Sequence, residues 1–271
     1  MTQGYLLFAL NTDNVDYVKL AYACALSIKL TQPDGYNSVA LVTNVDVANS
    51  IFDHVIKYTG PQGMDARSRA YDYSPYDTTV LLDADMLFLK DMSNYWKLFS
   101  DRDLFITTSP QTYRGDQFKY GYYRKVFDDN LLPDVYNAWT YFKKSPIAKE
   151  FFDTVILLTD NAEHFIEQCL PGSNLTSIPT DEAFAIALGM LDLTDIATEP
   201  RWDFPRVTHM KPMVQGWNEY VKDWVDKLRF HIGNNMHVEL GMFAQTELLH
   251  YVDKSIITDS IIARMEQAYG A

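Results

Sequence analysis

Short runs of apolar, β-branched residues recur along the first third of the chain, each ending at a cluster of turn formers. Tyr5–Leu10, Ser38–Thr43, His54–Tyr58 and Thr78–Leu82 are too short for helices and too uniformly apolar for strands with one wet face. Runs of that kind predict strands buried on both sides, the pattern of a parallel sheet covered by helices. Between them, Val15–Leu30 carries Val18, Ala21, Tyr22, Ala25 and Ile28 at helical spacing and predicts a helix with one core-facing stripe. Val45–Ile51 and Met64–Tyr73 predict shorter helices. Strand and helix alternate, which predicts right-handed crossovers and a Rossmann-like half.

Beyond residue 85 the rhythm changes. A helix is expected at Ser93–Phe99 and strands at Leu104–Thr108 and Val135–Phe142, with a loop-rich insert, Ser109–Pro133, between the two strands. Helices follow at Ile147–Leu158 and Ala162–Cys169, and another opens near Asp181, with Pro179 and Thr180 as start signals. Strands near Arg206–His209, Leu228–Ile232 and Glu247–Tyr251 precede a final helix, Asp259–Gln267. No internal repeat or linker-like stretch interrupts the 271 residues, so a single α/β domain is expected.

The strand Thr78–Leu82 runs into Asp83-Ala84-Asp85. Alternation along a strand puts both carboxylates on one side, at the C-terminal end, where open α/β sheets bind ligands. Two carboxylates held this close repel each other and are costly to desolvate. A hard divalent cation, Mn²⁺ or Mg²⁺, relieves both problems. The alternative is a turn or helix-capping pair. A second such triplet, Asp101-Arg102-Asp103, lies between a helix and a strand and reads as a solvated turn.

Composition narrows the field. Hydrophobic residues make up 47% and aromatic residues 14%, ample for a large core. A formal charge of −13 opposes general affinity for nucleic acid or anionic membranes. Cys24 and Cys169 supply neither a disulfide framework nor a zinc pattern. The sequon Asn174-Leu175-Thr176 reads as chance without a signal peptide. With no membrane-spanning run, a cytoplasmic protein is expected. Glycine-rich phosphate loops, G-x-S-x-G and H-E-x-x-H are absent from the sequence. Phosphate handling therefore falls to the metal proposed at Asp83 and Asp85.

Asp83-Ala84-Asp85-Met86-Leu87-Phe88-Leu89 closely resembles the core signature of the GT-A nucleotide-sugar glycosyltransferases, in particular the glycogenin-like family 8 enzymes. The opening stretch Leu7-Phe8-Ala9-Leu10-Asn11-Thr12-Asp13-Asn14-Val15-Asp16-Tyr17 is similar to the family's first strand and turn. The resemblance implies a mixed, mainly parallel sheet flanked by helices. Residues 1–108 would form its nucleotide-binding half, and residues 109–271, with the terminal helix, its acceptor-side half. It implies a nucleobase site at Ala9, Asn11, Thr12 and Tyr17, although Asn11 to Asn14 also read as a turn with a helix cap. Arg67, sixteen positions before Asp83, matches a basic residue that contacts the sugar and orients the first aspartate, and Tyr76 stands where the family often has tyrosine.

Downstream, Asn137-Ala138-Trp139 resembles the family's Asn-Ala-Gly strand beside the donor sugar, with tryptophan in place of glycine. Asp181-Glu182 stands where the family has Asp-Gln: Asp181 would bind a sugar hydroxyl, and Glu182 replaces the amide near the reacting carbon. Acidic residues are also favoured in any first helical turn. His250 is the expected third metal ligand by order along the chain, with Lys254 as the diphosphate lysine. His209, in Val207-Thr208-His209-Met210-Lys211-Pro212, is second candidate and otherwise falls on the acceptor side of the donor pocket.

The resemblance implies a retaining, metal-dependent transferase that moves a sugar, from a UDP-sugar in the family's usual manner, to a hydroxyl acceptor. That acceptor is a glycan or a hydroxymethylated DNA base. The latter is suggested by the aromatic and basic stretch Thr112–Lys125, with Tyr113, Arg114, Lys119, Tyr120, Tyr122, Tyr123, Arg124 and Lys125, which alternatively forms a lid over the donor. A nucleotidyltransferase and a non-catalytic sugar-nucleotide binder are the alternatives.

Overall fold

The computed structural model describes residues 2–47, 51–61, 64–108, 110–116, 124–170, 172, 175–199, 204–210, 228–233 and 235–270. The apolar runs form the centre of a six-stranded sheet. In chain order its strands are β1 (Gln3–Ala9), β2 (Val39–Thr43), β3 (His54–Lys57), β4 (Thr78–Leu82), β6 (Leu104–Thr108) and β7 (Val135–Lys143), and across the sheet the order is β3-β2-β1-β4-β7-β6. The first four are parallel, and β7 runs antiparallel to both β4 and β6. The expected mixed α/β architecture, a mainly parallel sheet flanked by helices, is thus what the chain adopts.

Burial explains why these runs lack polar alternation. On one face Leu6, Phe8, Leu81 and Phe142 pack against α5 (Pro146–Asp160) and α7 (Thr180–Met190). On the other, Tyr5, Leu7, Val80 and Tyr141 meet Ala21, Cys24, Ala25 and Ile28 of α1 (Tyr17–Thr31). Helix α1 starts where the Asp16 carboxylate accepts the Lys19 amide at 3.0 Å, an N-cap. Its expected single stripe is only half of its buried surface. Leu20, Ala23 and Leu26 are buried on the opposite side, under a second layer that includes the terminal helix α9 (Asp259–Gly270).

That layer contains a three-stranded sheet, two of whose strands are expected from the sequence and one of which, directly after the aspartate pair, is not. Its order is β5 (Met86–Phe88), β12 (Leu248–His250), β8 (Val207–His209). Strand β12 is antiparallel to β5, with His250 opposite Met86, and parallel to β8, with His250 opposite His209. Three-residue β5 directly follows the aspartate pair, so this pairing carries a histidine from the end of the chain to Asp85. The remaining strands, β9 (Leu228–His231), β10 (His237–Leu240) and β11 (Phe243–Ala244), form an antiparallel meander.

Some local expectations are corrected. Residues 45–47 are not helical, and residues 48–50 of that predicted helix lie outside the described residues. Met64–Arg69 is a 3-10 helix that passes into the single α-turn α2 (Ala70–Tyr73). Short helices complete the chain: α3 (Asn94–Leu98), α4 (Lys125–Asp129) within the insert, α6 (Ala162–Cys169) and α8 (Thr194–Ala197). Tyr76 is a core residue. Its ring lies over Gly4, where a Cβ would come within 2.4 Å of it, and its hydroxyl meets Ser38 Oγ at 3.0 Å. Cys24 is buried and Cys169 half-buried, both as free thiols. Asn174 lies outside the described residues. Among the described residues no helix is long and apolar enough to cross a membrane.

Candidate active site

At the C-terminal ends of β1 and β4 the two layers leave a cleft of about 680 Å³, a size suited to a small organic ligand. Every site residue expected from the sequence lines it except Ala9. Strand alternation sends Phe8 and Leu10 toward the cleft and Ala9 into the opposite core, with Tyr5 and Leu7. The Ala9 side chain is therefore turned away from the cleft.

The mouth at β1 is braced rather than loose. Asn11 Nδ2 donates to Asp16 Oδ1 at 2.9 Å, and Asn11 Oδ1 accepts the Val18 amide at 2.9 Å. The Asn11 amide donates to Asn44 Oδ1 at 2.8 Å, and Asn44 Nδ2 returns a bond to the Asn11 carbonyl at 3.0 Å. Thr12 Oγ1 accepts from the Val15 amide at 3.2 Å. The turn reading of this stretch holds for the Asn11 side chain, although the helix cap is Asp16. Asn44, missed in the sequence, is the clamp.

In the middle of the cleft Asp83, Asp85 and His250 each bring a ligand atom within 4.8 Å of the others. An octahedral ion with bonds of about 2.1 Å spaces its ligands roughly 3–4 Å apart, and two carboxylates with an imidazole suit a hard or borderline divalent ion. The residues fit such an ion. His250 Nε2 lies 3.0 Å from Asp85 Oδ2, and Lys254 Nζ contacts the same oxygen. Burial works to raise the Asp85 pKa, but His250 and Lys254 outweigh it and hold the carboxyl well below the usual carboxylate range. Burial likewise works to lower the His250 pKa, and Asp85, then Asp83, lift it above the ordinary imidazole value.

His209 is not part of this cluster. It faces His250 across the β8–β12 pair with ring centroids 5.1 Å apart, and its Nδ1 meets the Tyr136 hydroxyl at 2.5 Å. Of the two candidate histidines, His250 is the one that joins Asp83 and Asp85 in the cluster.

Arg67 ties the cluster to β7. One terminal nitrogen contacts Asp83 Oδ1 and lies 3.1 Å from Asn137 Oδ1, and the other donates to the Asn137 carbonyl at 2.7 Å. Asn137 Nδ2 is buried at the cleft with no hydrogen-bond partner among the described residues. Buried donors are rarely left unpaired, and this one borders the cleft.

Farther along, Asp181 and Glu182 stand in the first turn of α7, which has no side-chain N-cap. Asp181 Oδ1 accepts the Asn137 amide at 2.7 Å, and its Oδ2 accepts from Arg124 at 3.0 Å.

Arg124, from the aromatic and basic insert, is drawn inward. It is only 3% exposed, donates Nε to Asp134 Oδ1 at 2.6 Å and lies over the Phe127 ring at 4.1 Å. Arg124 thus lines the cleft from its buried side rather than standing on the surface of the insert. Lys125 pairs with Asp129, and Arg114 Nε donates to the Tyr113 hydroxyl at 2.8 Å. Lys119, Tyr120, Tyr122 and Tyr123 lie outside the described residues, as do Lys211 and Pro212.

Sequence reasoning also passed over Tyr136. It sits in an apolar strand, yet a buried phenol needs a polar partner, which was the available signal.

No protein-family model matches the chain. No curated protein matches it either. Among solved structures, the chain is similar to the glycosyltransferase GlyE of Streptococcus pneumoniae TIGR4. The identity is 14% over 72% of this chain and 44% of that one, with a TM-score of 0.47. For the apo form of the same enzyme the figures are 16%, 75% and 46%, with a TM-score of 0.44. The chain therefore spans less than half the length of these structures.

Proposed function

We propose that the chain is a metal-dependent glycosyltransferase of GT-A type that moves a sugar from a nucleoside-diphosphate donor, in the first instance a UDP-sugar, to a hydroxyl acceptor. The observation that carries the reading is the make-up of one cleft. Asp83, Asp85 and His250 offer a cation site, flanked by Lys254 and Arg67, and a hydroxyl-binding wall of Asn137 and Asp181 lies beyond. Nucleotide, diphosphate and sugar need such groups in that order.

On this reading the loop from Leu10 to Tyr17 faces the nucleobase, while Asp83 divides its contacts between the cation and the ribose. A divalent ion, Mn²⁺ or Mg²⁺, held by Asp83, Asp85 and His250 would neutralise the diphosphate and stabilise it as a leaving group. Lys254 and Arg67 add positive charge where negative charge develops as the bond between the sugar and the phosphate oxygen breaks. The acceptor oxygen then bonds to the anomeric carbon and its proton is released. Glu182, where the family pattern has an amide, lines the same cleft and on this reading would oppose positive charge on the sugar. Residues 1–108 supply most of the nucleotide end, and the later residues return to it through His250 and Lys254.

The test is release of nucleoside diphosphate from a panel of nucleotide-sugars with and without Mn²⁺. Release that requires Mn²⁺ and disappears in Asp85→Asn supports the proposal. Pyrophosphate release from a nucleoside triphosphate and sugar phosphate would instead identify a nucleotidyltransferase.

A further inference from the structure

We infer that Tyr136 is a positioning residue for the cation site: its hydroxyl fixes which nitrogen of His250 carries the proton and so leaves the other free for the metal. The inference rests on the metal reading above.

Tyr136 is 3% exposed, and its hydroxyl reaches the Nδ1 atoms of two histidines. One is His209, at 2.5 Å, and the other is His250. Neighbouring parallel strands bring these rings side by side in register, and β7 inserts the phenol against both. A phenol has one proton to donate, so it cannot donate to both nitrogens and must accept from at least one of them.

Each ring nitrogen of His250 faces one carboxylate, Nδ1 at 3.7 Å from Asp83 Oδ2 and Nε2 at 3.0 Å from Asp85 Oδ2, and because the phenol engages Nδ1, Nε2 is the nitrogen left for the ion. An Nε2 that binds metal must present its lone pair, which puts the ring proton on Nδ1. Tyr136 then accepts from His250 and donates to His209 Nδ1, so the His209 proton lies on Nε2. This arrangement gives the phenol and both Nδ1 atoms partners of the right kind. Metal-binding histidines commonly carry such an outer partner, and its loss costs roughly ten- to a hundredfold in metal affinity.

The test is Mn²⁺ titration, followed by the electron paramagnetic resonance signal of the free ion, on folded wild type, Tyr136→Phe and His209→Gln. Tyr136→Phe should weaken Mn²⁺ binding by about ten- to a hundredfold. His209→Gln leaves the phenol able to accept from His250 and should cost much less. Wild-type affinity in Tyr136→Phe, or equal losses in both variants, would overturn the inference.

A wild type that binds no Mn²⁺, or an Asp85→Asn variant that binds it fully, would remove the metal site itself and the Tyr136 role with it. Insensitivity to Tyr136 alone overturns only its positioning role and leaves the metal site standing. If Tyr136→Phe does not fold, imidazole ¹⁵N shifts of the wild-type protein with Mg²⁺ decide the matter. His250 should be protonated on Nδ1 and His209 on Nε2, and a His209 proton on Nδ1 contradicts the relay.

Discussion

Replacing Arg67 with methionine removes a side chain that binds both Asp83 and Asn137 while keeping most of its apolar bulk. The guanidinium gives up a charge-assisted bond to Asp83 and two bonds to Asn137, at 3.1 and 2.7 Å. Both partners of the ion pair are largely buried, at 11% and 20% side-chain exposure. Breaking a buried pair by removing one partner costs about 3–5 kcal/mol. Water still reaches Asp83, so the lower end applies, about 3 kcal/mol. In a chain of this size that lowers Tm by roughly 5 °C.

Asp83→Asn keeps an acceptor for Arg67 and relieves repulsion with Asp85, so it should cost only about 1 kcal/mol. In the double variant no buried charge is left unanswered. Its destabilisation should therefore fall short of the sum of the singles by roughly 1.5–2 kcal/mol. The assay is urea unfolding of all four proteins at neutral pH with chelator present, because bound metal would add its own stabilisation. A coupling energy below about 0.5 kcal/mol would refute the claim that Arg67 answers the charge of Asp83.

Other consequences follow from single residues. Arg124→Met strands Asp134 and Asp181 and should destabilise the fold by about 3–5 kcal/mol in denaturant unfolding; a cost under about 1 kcal/mol would contradict a buried ion-pair network. Asp53 accepts from the Val39 amide at 2.8 Å and from Lys29 at 2.9 Å, and these contacts outweigh burial and depress its pKa. Its stabilising contribution is therefore present above the unfolded value, about 3.9, and is lost as pH falls through the lower folded value. The stability gap between wild type and Asp53→Asn should then narrow as pH is lowered from about 5 toward 3, and a gap independent of pH would contradict the assignment. Glu182→Gln should reduce turnover more than donor affinity, and unchanged turnover removes Glu182 from the reaction.

The central strands were legible in the sequence because burial on both faces leaves one unambiguous pattern, an apolar run bounded by turn formers. Asp83 and Asp85 were legible because carboxylates that end such a run stand out. In the small sheet, β8 and β12 were legible as strands, but β5 and the pairing were not. Strand β5 is three residues long, and β12 lies some 160 positions away; no local periodicity announces a pairing of that separation. Arg124 was hidden for a different reason. Its neighbours in the insert are also basic and aromatic, so nothing local marks it as the one drawn inward to Asp134 and Asp181. Arg67 was found through spacing alone, and the three bonds that justify it exist only once β7 lies beside β4.

Thermal shift with a nucleotide-sugar panel, measured for wild type and Asp85→Asn with and without Mn²⁺, tests the central claim most directly. A ligand that binds only the folded state at a hundred times its Kd stabilises that state by about 2.7 kcal/mol. The account predicts a clear rise in wild-type Tm that needs both a nucleoside-diphosphate sugar and Mn²⁺, and its loss in Asp85→Asn. No shift with any donor, or an equal shift in Asp85→Asn, would contradict a cation-bridged donor site at Asp83, Asp85 and His250.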